Sequence, residues 1–87
     1  MKLFYKTADI LLKLREKKMA NISEVMKETD MTYSYVYKCI KSLENKGCVV
    51  REFSDDKRER LYKLTKKGEK VADAIETIIS ELKIWKK

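Results

Sequence analysis

At Gly47 the hydrophobic period of this sequence changes, and that change constrains the fold more than any other feature. Upstream, in TYSYVYKCIKSLENKG, the residues Val36, Cys39, Ile40 and Leu43 recur at i, i+3, i+4 and i+7. Only a helix puts such a set on one side, because a strand would scatter it over two faces. Thr32 is a good N-cap and Gly47 a natural stop, so a helix is expected over residues 33–46. Downstream, CVVREF (48–53) and RLYKL (60–64) are rich in β-branched, aromatic and aliphatic residues, with the charged stretch SDDKRE between them. Together they predict a β-hairpin.

The remaining segments follow the helical period. Residues 3–17 place Phe4, Ala8, Leu11 and Leu14 on one stripe, which predicts a first helix. MAN (19–21) is expected as a very short strand. Asn21 with Glu24 three residues later has the form of a capping box, so ISEVMKET is expected to be a second, short helix, turned by DM. Thr65 should cap a long last helix in which Val71, Ile75, Ile78, Leu82 and Trp85 recur at heptad spacing, with Ala72 and Ile79 widening the stripe. Proline is absent and there are two glycines, which suits a mostly helical chain. The expected class is mainly α with a small β-hairpin (α+β). Two helices joined by a tight turn and followed by a hairpin describe a winged helix-turn-helix, here with a long C-terminal dimerisation helix. The expected division is a DNA-binding domain over residues 1–68 and the dimerisation helix over 69–87.

Charge narrows the function. The formal net charge is +7 and 40% of the 87 residues are charged. Ten basic residues stand against six acidic ones in residues 1–46, seven against four in 47–68, and four against four in 69–87. The positive excess therefore lies in the first three quarters, which suits a polyanion partner there and another task for the last helix. Histidine is absent, so imidazole catalysis and ligation are excluded. With no glycine-rich phosphate loop and no carboxylate pair destined for a cleft, no enzyme, catalytic residue, cofactor or metal is expected. Cys39 and Cys48, nine apart, have no CxxC spacing and are expected to be buried free thiols. No apolar run approaches the roughly 18 residues of a membrane span, and the N-terminus lacks a signal-peptide core. A cytoplasmic, nucleoid-associated protein is expected, with no membrane partner.

On the third helix, 100° per residue turns Ser34, Lys38, Lys41 and Asn45 away from the core stripe. Tyr35 and Tyr37 fall on the two shoulders and Tyr33 nearer the core edge, so the tyrosines are expected not to share a face. Such a helix fits the major groove of double-stranded DNA. Ser34, Tyr35 and Lys38 are the candidates for base contact; Thr32, Tyr33, Tyr37 and Lys41 are candidates for holding phosphates. The hairpin tip brings Asp56, Lys57, Arg58 and Arg60, and an arginine there can enter the narrow minor groove. From charge alone an ordinary solvated loop is the better account of the tip.

A resemblance shifts that balance. Residues 22–68 resemble the winged-helix core of the multiple antibiotic resistance regulator (MarR) family: a recognition helix ending in LENKG, a strand, a wing with DKR, a second strand, and LTKKG. The resemblance implies that Arg58 enters the minor groove and that Asp56 orients it. It also implies that Thr32, Ser34, Tyr35, Tyr37 and Lys38 face DNA. The family generally has a longer N-terminal region and a pocket near its dimer interface, whereas this sequence shows no second layer for a ligand pocket. It gives no support to a small-molecule effector. The single helical tail is also similar to winged-helix proteins of archaea and their viruses, and to PadR-like regulators.

Ile75, Ile78, Ile79, Leu82 and Trp85 are the expected dimer interface, since a soluble monomer rarely keeps such a ridge exposed. The expected function is a sequence-specific DNA-binding transcriptional regulator acting as a homodimer. Two alternatives are a protein-interaction module of the same fold and a sequence-indifferent, chromatin-like DNA coat.

Overall fold

A computed structural model describes residues 2–53 and 60–83. The elements follow the expected order: α1 (Lys2–Lys17), α2 (Ile22–Thr29), α3 (Tyr33–Asn45), β1 (Val49–Phe53), β2 (Arg60–Leu64) and α4 (Lys66–Leu82). Strands β1 and β2 pair antiparallel, with Val49 opposite Leu64 and Phe53 opposite Arg60. The short strand expected at residues 19–21 is a single bridge. Ala20 and Tyr62 exchange both backbone bonds, at 3.0 and 2.8 Å.

Side chains fix the helix ends. Asn21 Oδ1 accepts from the Glu24 N–H at 2.8 Å and Glu24 Oε1 accepts from the Asn21 N–H at 2.9 Å, which is the expected capping box. Thr32 Oγ1 accepts from the Tyr35 N–H at 3.2 Å and starts α3. At the other end Gly47 takes φ +80°, a left-handed conformation that glycine adopts without steric cost. There the Gly47 N–H donates to Glu44 O and the Cys48 N–H to Leu43 O, so two carbonyls of the last turn gain partners. Thr65 Oγ1 accepts from the Gly68 N–H at 3.1 Å and donates to Gly47 O at 2.6 Å. The start of α4 is thereby tied to the end of α3.

The core lies around α1, which packs against α2, α3, α4 and β2. The expected α1 residues Ala8, Leu11 and Leu14 are buried, and the side chain of Phe4 lies outside the described residues. Ile10 and Leu12 are buried as well. A single amphipathic stripe underestimates α1 because neighbours cover it on several sides. From α3 the whole expected stripe, Val36, Cys39, Ile40 and Leu43, is buried. Tyr62 is the largest fully buried side chain among the described residues, which anchors the hairpin in the core. From α4, Gly68, Ala72 and Ile75 are buried while Val71 and Ile79 pack on the core edge. The expected division at residue 68 thus falls within the first turn of α4.

Candidate nucleic-acid interface

Three residues, 30–32, turn α2 into α3. Asp30 makes the turn with φ 57°, and its N–H reaches Met26 O at 2.8 Å. Asp is among the residues that tolerate this left-handed geometry. Val25 of α2 and Val36 and Ile40 of α3 are fully buried in the common core. With one face so committed, α3 turns Tyr33, Ser34, Tyr37 and Lys38 to solvent. Lys41 is half-buried and pairs with Glu44 at 3.4 Å.

The tyrosines correct the expectation that they occupy separate faces. Tyr33 is 54% exposed, not at the core edge, and stacks on Tyr37 with ring centroids 6.3 Å apart and planes 8° from parallel. Residues four apart differ by only about 40° around a helix, so the pair shares one side. Tyr35 instead packs against the core edge, with Lys6 Nζ 4.9 Å from its ring centroid. Its phenol is pushed above the ordinary tyrosine value, first by desolvation and then by the adjacent Cys39 thiol. This setting makes Tyr35 a packing residue as much as a candidate for base contact.

Arg60 begins β2 and is exposed. The other expected wing residues, Asp56, Lys57 and Arg58, lie outside the described residues. A cleft of about 320 Å³ brings Arg60 together with Tyr33 and Tyr37, and with Asn21 and Ser23 at the start of α2. Ile22 and Tyr62 complete its lining. Asn21 and Ser23 line this cleft but are not among the residues expected from the sequence. The capping box was their signal, because it fixes where the first turn of α2 begins and hence what stands beside the start of α3.

On the far side, Ile78 is 40% and Leu82 63% exposed along α4, with Ile79 half-buried between them. Ile75, expected at the same interface, is 5% exposed and belongs to the chain's own core. Trp85 lies outside the described residues. Cys39 and Cys48 are both free and buried, as expected. Among the described residues no cluster of potential ligands could hold a metal, and no helix is long and apolar enough to cross a membrane.

Comparisons with known proteins agree with this geometry. Residues 6–83 match the family model described as winged helix-turn-helix. Among solved structures, a MarR-family transcriptional regulator from Silicibacter pomeroyi superposes with a TM-score of 0.83 at 26% identity, covering 93% of this chain and 55% of that one. A mutant of E. coli MarR complexed with operator DNA superposes with a TM-score of 0.77 at 22% identity, covering 84% of this chain and 53% of that one. ZitR from Lactococcus lactis in its apo form gives 0.83 at 21% identity, covering 93% and 61%. The chain spans a little over half the length of these proteins, and the likeness is one of fold. A search of curated proteins finds no match.

Proposed function

The chain belongs to the winged helix-turn-helix family, and we propose that it is a transcriptional regulator that binds double-stranded DNA as a homodimer and reads its sequence. The observation that carries this reading is α3. One face is buried to the last residue of its apolar stripe, and the other presents Tyr33, Ser34, Tyr37 and Lys38 to solvent at the helix's N-terminal half. A major groove admits such a helix with its first turns deepest. In this reading Ser34 and Lys38 meet base edges, and Thr32, Tyr33, Tyr37 and Lys41 meet phosphates. The wing, with Asp56, Lys57 and Arg58, lies along the adjacent minor groove. Tyr35 supports the helix from its shoulder and reaches DNA only at its edge.

The apolar edge of α4 supports pairing with a second copy through Ile78, Ile79 and Leu82. A two-fold pair would present two α3 helices to successive major grooves, roughly 34 Å apart, and so prefer a pseudo-palindromic site. The protein then acts in the cytoplasm on the nucleoid, as a binding protein and not as an enzyme. The net charge of +7 supports a large phosphate contribution, with affinity falling steeply as salt rises.

Fluorescence anisotropy with a labelled pool of random duplexes at two salt concentrations, followed by sequencing of the tightest-bound fraction, tests this function. Salt-sensitive binding that enriches an inverted repeat is expected. Salt-sensitive binding without enrichment would replace the regulator by a sequence-indifferent DNA coat. No binding at low salt would leave a protein-interaction module.

A further inference from the structure

We propose that the cleft between α2, α3 and β2 is a clamp for one backbone phosphate, in which Arg60 supplies the charge and Tyr37 and Ser23 supply hydroxyl donors. The inference rests on the DNA-binding reading above and goes beyond it by assigning this cleft a ligand. It also moves Arg60 away from minor-groove reading.

The composition of the lining selects this cleft. It contains one cation and three hydroxyl-bearing side chains near the surface, Ser23, Tyr33 and Tyr37, and no carboxylate. Other clefts among the described residues that hold basic side chains are different in kind. Lys6 shares its cleft with Asp9 and Asp30, and Arg15 and Lys63 share theirs with Glu69 and Asp73. Lys46 and Lys67 line a mainly apolar groove with Leu11, Leu43, Val71 and Ile75, where Thr7 and Asn45 are the neutral polar side chains and no phenol is present. The cleft at Arg60 joins a guanidinium to three surface hydroxyls with no carboxylate among its lining residues. A guanidinium presents several N–H groups in a planar fork that suits phosphate oxygens, and phenols and hydroxyls add neutral hydrogen bonds.

Rigidity adds to the argument. The Tyr33–Tyr37 stack holds two rings nearly parallel, at 8°, along one wall. Asn21 is held by its reciprocal bonds with Glu24, which fixes the first turn of α2 and hence Ser23. Arg60 begins a strand whose Tyr62 is buried and bridged to Ala20. Three elements meeting through the core therefore set the cleft before any ligand arrives, which lowers the ordering cost of binding. A phosphate held there fixes the register of α3 in the groove without reading sequence.

The test uses the full chain and two labelled duplexes of equal length, one carrying the most enriched sequence of the selection and one unrelated. Arg60→Gln should weaken both by the same factor, about tenfold, and reduce the slope of log K against log salt by about 0.9. Tyr37→Phe, which keeps the ring stack, should weaken both severalfold and leave the slope unchanged. Lys70→Gln, on the exposed side of α4, should alter neither. Single neutral methylphosphonates are then placed along the backbone. One position should weaken the wild type and have no further effect on Arg60→Gln. A variant with unchanged affinity and slope, or one that loses only the enriched duplex, overturns the clamp while leaving DNA binding intact. Failure of the wild type to bind either duplex at low salt overturns both readings.

Discussion

A β-carbon on Gly68 would stand 2.0 Å from the carbonyl oxygen of Cys48. The same oxygen accepts the Thr65 N–H at 3.0 Å, so the first turn of α4 is seated directly on the link between α3 and β1. Gly68→Ala should therefore destabilise the fold by about 3 kcal/mol, the upper end of overpacking, because the obstructing atom is backbone. Gly47→Ala meets only an ordinary contact, Lys67 Cδ at 3.9 Å, and suffers from its positive φ. Its cost should be about 1 kcal/mol. Thermal denaturation separates the two, since 1 kcal/mol moves the Tm of a domain this size by roughly 4–8 °C. Equal losses would contradict this assignment of crowding to one glycine and strain to the other.

The two lysines on the outer side of α3 should behave differently toward DNA. Lys38 is exposed and takes part in none of the ion pairs among the described residues, whereas Lys41 is half-buried beside Glu44 at 3.4 Å. Lys38→Ala should cost about 1–3 kcal/mol of binding and relax the preference at one base pair. Lys41→Ala should cost less and weaken all sequences alike. Competition binding against single-base variants of the selected site measures both effects. A sequence-independent loss in Lys38→Ala would move that residue from the bases to the phosphates.

Tyr35 gives a pH dependence whose sign is fixed. Its phenol is raised above the ordinary value by desolvation first and by Cys39 second, so the folded chain holds that proton more tightly than the unfolded chain. The associated stability is fully present below the unfolded value of about 10 and is lost as pH rises through the higher folded value. Urea titrations at several alkaline pH values should show wild-type stability falling more steeply than that of Tyr35→Phe above about pH 10. Parallel curves would remove the role assigned to this phenol.

Much of this architecture is legible in the sequence where a local rule and the tertiary structure ask for the same thing. Val36, Cys39, Ile40 and Leu43 mark a helix by spacing alone, and all four are buried. Asn21 with Glu24, Thr32 and Thr65 announce helix starts because their side chains satisfy backbone groups a few residues away. What escaped the sequence depends on partners distant along the chain. The short strand expected at residues 19–21 is there as a one-residue bridge, but nothing near it in sequence names Tyr62 as its partner. A glycine at the third position of a helix reads as a propensity cost until Cys48 is seen against it. Burial of Ile10 and Leu12 records that α1 is central, which its own stripe does not encode. The cleft at Arg60 joins residues 21 to 60 through the core, and only the folded chain brings them together.

The last helix separates two roles within a single heptad pattern, and that separation yields the sharpest test of assembly. Ile75 is 5% exposed, Ile78 40% and Leu82 63%, so burial within the chain fades along α4 while the apolar spacing continues. Ile75→Glu should place an unpaired charge in the core and cost about 3–5 kcal/mol, lowering the Tm sharply at any protein concentration. The pair Ile78→Glu and Leu82→Glu alters exposed positions, where a single chain loses little. If a second copy covers them, sedimentation at micromolar concentration should show two chains for the wild type and one for this variant. Its helical signal should be retained, and its affinity for the full inverted repeat should fall far more than its affinity for a half-site. A wild type that sediments as a single chain would remove the homodimer and the two-groove geometry built on it. DNA contacts along α3 would then have to account for binding from one copy alone.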